Sequence, residues 1–174
     1  MGSKGAGRRS VCARRRATSA SVHLGRFQDV DVSREITEVA RVAVEQTGLR
    51  GIAALQAEAS LIGASRAQLR SFARGMLPEG RTGAFEPAAS QPDMWELRVQ
   101  DARLGAFRFY HGEPECGDPD VAVMLFHQKS TDGLSADEIA QAQDRAMAQA
   151  QRRYERGRPC RWGHVDHCSS CLNQ

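Results

Sequence analysis

Lysine is nearly missing from this chain: of 24 basic residues only Lys4 and Lys129 are lysine, and all the others are arginine. No apolar run approaches the roughly 18 residues a membrane-spanning helix needs, which excludes an integral helical membrane protein. The arginines near the start are not followed by an apolar stretch, so no secretory signal is read and the cytoplasm is the expected location. Cysteine is scarce and odd in number. Cys12 and Cys116 stand alone, whereas Cys160, Cys168 and Cys171 crowd the end, a distribution that does not suit a disulfide framework. With 174 residues, 41% hydrophobic and 26% charged, the chain has the length and composition of one soluble globular domain.

Acidic residues are absent from the first 28 positions, which hold Lys4, Arg8, Arg9, Arg14, Arg15, Arg16 and Arg26, a charge of +7. The remainder sets 17 basic residues against 21 acidic ones, a balance of −4. Residues 1–30 are rich in Gly, Ser, Ala and Arg without a hydrophobic period, and are expected to form a disordered arm. An RNA-binding tail and a stretch of merely solvated charge are both open readings of it. Because the body is mildly acidic, any nucleic-acid chemistry there has to rest on a local patch.

Residues 31–157 carry the periodic patterns of a folded domain. Ser33 is a candidate cap for a helix in which Ile36, Val39, Ala40 and Ala43 share a face up to Gly48. Ile52, Leu55, Ala59 and Ile62 form the stripe of a second helix ending near Gly63, so that the two make a hairpin. Residues 22–32 are a candidate strand before them. Gly75, Pro78, Gly80, Gly83, Pro87 and Pro92 predict a long loop. Beyond it the period becomes two: Trp95, Leu97 and Val99, then Phe107 and Phe109, then residues 121–126, joined by short linkers that suit an antiparallel meander. Ser135 followed by Glu138 is a capping-box signature for a last helix that buries Ile139, Ala142, Ala146, Ala150 and Tyr154. The expected class is α+β: a helical hairpin packed on a small antiparallel sheet, closed by a C-terminal helix.

Alternation in the meander predicts that Glu96, Arg98, Arg108 and Tyr110 lie on an open face, with His127 and Lys129 sharing a parity at the end of the third strand. Arginines, a lysine, a histidine and a tyrosine on one face suit binding of a phosphodiester and stabilisation of growing negative charge. As isolated residues, the same arginines also read as surface ion pairs worth little.

The segments Trp-Glu-Leu-Arg at 95–98, Phe-Arg-Phe-Tyr at 107–110, Leu-Phe-His-Gln-Lys-Ser at 125–130 and Asp-Glu-Ile-Ala-Gln-Ala at 137–142 resemble, in order and spacing, the RelE/HigB toxins. They resemble most the phage-derived HigB-like (gene-product-49-like) branch. The resemblance covers about residues 93–155. It implies a RelE-like fold and the toxin of a type II toxin-antitoxin pair, an endoribonuclease that cuts mRNA on the ribosome without a metal, using the sugar's own 2′-hydroxyl as nucleophile. It further implies Arg98, Arg108 and Lys129 as phosphate and charge-stabilising groups, with His127 as the candidate for proton transfer. Tyr110 and Arg103 would contact RNA, and a small helix-turn-helix antitoxin would be the partner. Gln128 stands where the family commonly has a first of two lysines, and Asp132-Gly133-Leu134 replaces its Lys-Thr-Pro. These departures keep a second reading open: a non-enzymatic protein on the same scaffold, either a gyrase poison of the ParE kind or an inactive phage-derived relative.

Residues 158–174 form a Cys/His tail. Cys160, His164, Cys168 and Cys171 are ligand types and spacings compatible with a structural zinc ion, and a flexible tail is the alternative. The proposed chemistry needs no cofactor.

Overall fold

A computed structural model describes Ser10 and residues 20–80, 82–115, 119–129 and 133–165. The chain is α+β, with a mixed five-stranded sheet between helices. It runs β1 (Val22–Leu24), β2 (Arg26–Phe27), β3 (Val30–Asp31), α1 (Val32–Gln46), α2 (Gly51–Ala73), β4 (Phe85–Pro87), β5 (Met94–Asp101), β6 (Gly105–Gly112), β7 (Val121–Lys129) and α3 (Ala136–Gly157). A 3-10 turn, Arg158–Gly163, follows.

The expected meander is present: β5 pairs with β6 and β6 with β7, both antiparallel. Two strands widen it. β1 adds to β7 in parallel, Val22 opposite Val121, and β4 adds to the other edge, giving the order β1-β7-β6-β5-β4. The sheet is therefore mixed rather than purely antiparallel. β4 lies inside the stretch expected to be loop; Pro87 ends it, at an edge where a missing N–H costs no ladder bond. The body also starts earlier than residue 31. Ala20 is fully buried and its N–H donates to Ala73 O at 2.7 Å. The disorder expected of the arm concerns positions that, apart from Ser10, lie outside the described residues before Ala20.

Asp31, rather than Ser33, caps α1, its carboxylate accepting from Arg34 N at 3.0 Å. Ile36, Ala40 and Ala43 are buried as expected. In α2 the stripe is different from the expected one. The helix passes through Gly63 to Ala73 and buries Ala57, Leu61, Ser65, Leu69 and Phe72, while Ile52 and Leu55 stay 74% and 68% exposed. The two stripes are out of phase on the same helix, and the one supported by the Leu69–Phe72 end packs on the sheet. Phe72 meets Phe85 edge-on at 4.9 Å, and Phe126 lies 4.4 Å from Phe109, so the apolar face of the sheet and the helical hairpin share one core. Each buried aromatic of this kind contributes about 1.5–3 kcal/mol.

The opposite face is covered by α3. Ser135 and Glu138 form the capping box at its start, and Ala146, Ala150 and Tyr154 are buried, with Ile139 and Ala142 half-buried. Tyr154 lies against Gly112, where a Cβ would stand 2.2 Å from the ring. Arg153 links the layers: Nη1 donates to Met124 O at 2.9 Å and pairs with Glu35 of α1 at 2.5 Å. The turn after α3 docks too. Trp162 is buried, its indole N–H donating to Tyr154 O at 2.7 Å, which makes residues 158–163 part of the body rather than a free tail.

Gly112→Ala is expected to push α3 off β6 and lower stability by about 1–3 kcal/mol, as overpacking does. Urea unfolding of the pair of proteins checks this, and an unchanged midpoint would contradict the close approach.

Candidate functional site

The cross-strand register brings the expected site residues into rows. Arg98 of β5 is opposite Arg108 of β6, which is opposite His127 of β7; one row on, Gln100, Ala106 and Lys129 align; one row back, Glu96, Tyr110 and Leu125. Residues paired in register share a face, so Arg98, Arg108, Tyr110, His127 and Lys129 occupy the same side of the sheet. Arg103 is apart from them, exposed in the β5–β6 turn, where Asp101 Oδ1 accepts from its backbone N–H at 2.8 Å.

That side is not open. α3 lies over its upper rows, which corrects the expectation of a solvent-facing sheet. Glu96 is 5% exposed and Arg108 9%, and Tyr110 has no exposed surface, so its ring is no platform for a stacked base. Burial pushes the Tyr110 phenol well above its ordinary pKa, with the Glu96 carboxylate adding to the effect. Sequence alternation finds the polar face but carries no signal of whether a helix will cover it.

Glu96 is the centre of the covered region. Its carboxylate lies 2.7 Å from Arg108 Nε, in an ion pair rather than an aligned hydrogen bond, and 3.5 Å from Arg98 Nε. Gln143 of α3 donates to its other oxygen at 2.8 Å. Arg98 also pairs with Glu86 of β4 and donates from Nη1 to Gly83 O at 2.9 Å. Arg108 Nη1 donates to Phe107 O at 2.8 Å. Two arginines thus stand against two carboxylates. Glu86 and Gln143 were missed in the sequence because one sits in a segment read as loop and the other on a helix read only for its apolar stripe.

Below Glu96 the face becomes more accessible. His127 and Lys129 are half-buried. Burial lowers the His127 pKa, and the nearby Arg108 charge lowers it further, so the imidazole is neutral at pH 7 and able to accept a proton. Lys129 makes no ion pair among the described residues.

At the C-terminal end, Cys160 Sγ donates to Gly157 O at 3.2 Å, and the His164 ring packs edge-on against the buried His23 at 5.3 Å. Cys168 and Cys171 lie outside the described residues, among which no three metal-ligating side chains come together. A separate cavity of about 340 Å³ is lined by Asp93, Glu113, Glu115, Tyr154, Arg158 and Trp162, an acidic lining unlike that of the sheet face.

Comparisons with protein-family models, with curated proteins and with solved structures find no match.

Removing one partner of a buried pair leaves the other charge uncompensated, at a cost of about 3–5 kcal/mol, whereas replacing both by apolar groups is far less costly. Glu96→Ala is expected to destabilise the protein by that amount, and the double change Glu96→Leu with Arg108→Met to recover most of it. Denaturant melts of the three proteins decide this; equal losses in the single and double variants would show that the pair does not hold the face together.

Proposed function

We propose that this protein is the toxin of a type II toxin-antitoxin pair, acting in the cytoplasm as a ribosome-dependent mRNA endonuclease whose chemistry needs no metal. The observation that carries the reading is the Arg98–Arg108–His127 row with Lys129 one row away: two guanidiniums, a neutral imidazole and an ammonium on one face. The order of elements, three short strands, two helices, a short edge strand, a three-stranded meander and a capped helix, contains the helical hairpin, meander and closing helix that the motifs suggest.

In this scheme His127 accepts the proton of the 2′-hydroxyl as its oxygen attacks the adjacent phosphorus. The bond from phosphorus to the 5′-oxygen breaks, that oxygen takes up a proton from water, and a 2′,3′-cyclic phosphate remains. Arg108 and Arg98 hold the non-bridging oxygens, exchanging part of their contact with Glu96 and Glu86 for the phosphate. Lys129 offsets charge on the leaving side. The antitoxin, a small helix-turn-helix protein, would block this face.

One observation favours a non-enzymatic reading. Arg98 and Arg108 are each matched by a carboxylate in the resting protein, so the face offers less net positive charge than its arginines suggest. A gyrase-binding protein or an inactive relative on this scaffold would tolerate that.

Induced expression in a bacterial host separates the two. The endonuclease reading expects growth arrest with cut mRNA, and about 100-fold slower cleavage for His127→Ala, with relief also in Lys129→Ala. Normal growth with intact mRNA would refute it, and arrest with intact mRNA and a DNA-damage response would select the gyrase reading.

A further inference from the structure

The arginines of β5 and β6 and two of the four on α3 are matched by carboxylates: Arg98 by Glu86, Arg108 by Glu96, Arg153 by Glu35 and Arg156 by Asp29. Arg145 and Arg152 of α3 differ, having no ion-pair partner among the described residues. Both line a shallow groove of about 460 Å³, with Gln149 between them and Ala142 and Ala146 alongside. His127 lies in the same groove. No carboxylate lines it.

The geometry points to this groove as the path of the RNA strand leaving the His127 site, with Arg145 and Arg152 gripping backbone phosphates. The inference rests on the endonuclease reading and extends it to residues that the motifs do not reach. Seven residues apart, the two arginines lie on one helix face and about 10.5 Å apart along the axis, so they contact separate phosphates rather than one. A guanidinium presents a planar fork that matches phosphate oxygens, and a polyanion restores the charge balance that the protein's own carboxylates leave open here. The small alanine side chains give a smooth floor that an extended backbone can cross. They offer no deep pocket for the aromatic or aliphatic anchors that dominate protein docking. The groove also joins directly to His127, where the strand being cut has to pass.

The test is equilibrium binding of a labelled single-stranded oligouridylate over a salt series, by the full chain and by the double variant Arg145→Gln with Arg152→Gln. Both positions are exposed on a helix, and glutamine keeps the helix propensity of arginine, so the fold is preserved. Loss of two phosphate contacts is expected to flatten the slope of log K against log salt by about 1.4 and to weaken low-salt binding about tenfold or more. Unchanged affinity and slope in the variant, with a wild type that binds, overturns the groove and leaves the endonuclease reading standing. A wild type that binds no oligouridylate overturns the groove, while the endonuclease reading, which requires the ribosome, stands or falls on the mRNA cleavage seen on expression. If the variant keeps its RNA affinity but loses affinity for polyglutamate, the groove is a docking surface for an acidic protein, and the inference is likewise wrong.

Discussion

A carboxylate buried between a sheet and a helix has to be matched, and Glu96 is matched three times: by Arg108 and Arg98 from the strands and by Gln143 from α3. Desolvating a charge is costly unless its partners are held in place. The polar face of the meander can be covered only because these partners converge. The cover then fixes how far the arginines extend and leaves His127 and Lys129 at its margin.

The two faces of the sheet are solved by different physics. Toward α1 and α2, Phe85, Phe107, Phe109, Phe126 and Phe72 form a core held by area and shape. Toward α3, the contacts include more polar ones, with Tyr154 on Gly112, Arg153 on Met124 and Gln143 on Glu96. A functional surface at the edge of the second layer can change its contacts with a ligand at less cost than one cut into the first.

Much of this was readable beforehand. The meander, the capping box at Ser135 and the buried alanine stripe of α3 follow from local pattern, because period and cap chemistry are properties of short segments. What escaped depends on distant partners. A strand was expected within residues 22–32, but not its parallel pairing with β7, some hundred positions away. Phe85–Pro87 is too short to show a period, yet it completes the edge. Glu96 looks like a solvent-facing residue by alternation, and only the approach of α3 makes it buried. For the same reason the candidate residues were placed on the right face while the exposure of Tyr110 was misjudged. Cys160 and His164 carry ligand chemistry in sequence, but the fold turns the one to Gly157 and the other to His23.

The central claim is that side chains on this face direct a 2′-hydroxyl against its own phosphodiester. The most direct measurement uses ribosomes programmed with an mRNA carrying a single 2′-deoxy nucleotide at a mapped cleavage position, incubated with the purified protein and compared with the all-ribose message. The account predicts that the deoxy position stays intact while the ribose message is cut there to leave a 2′,3′-cyclic phosphate. Equal cutting of both messages would mean that the nucleophile comes from elsewhere, and would contradict the account.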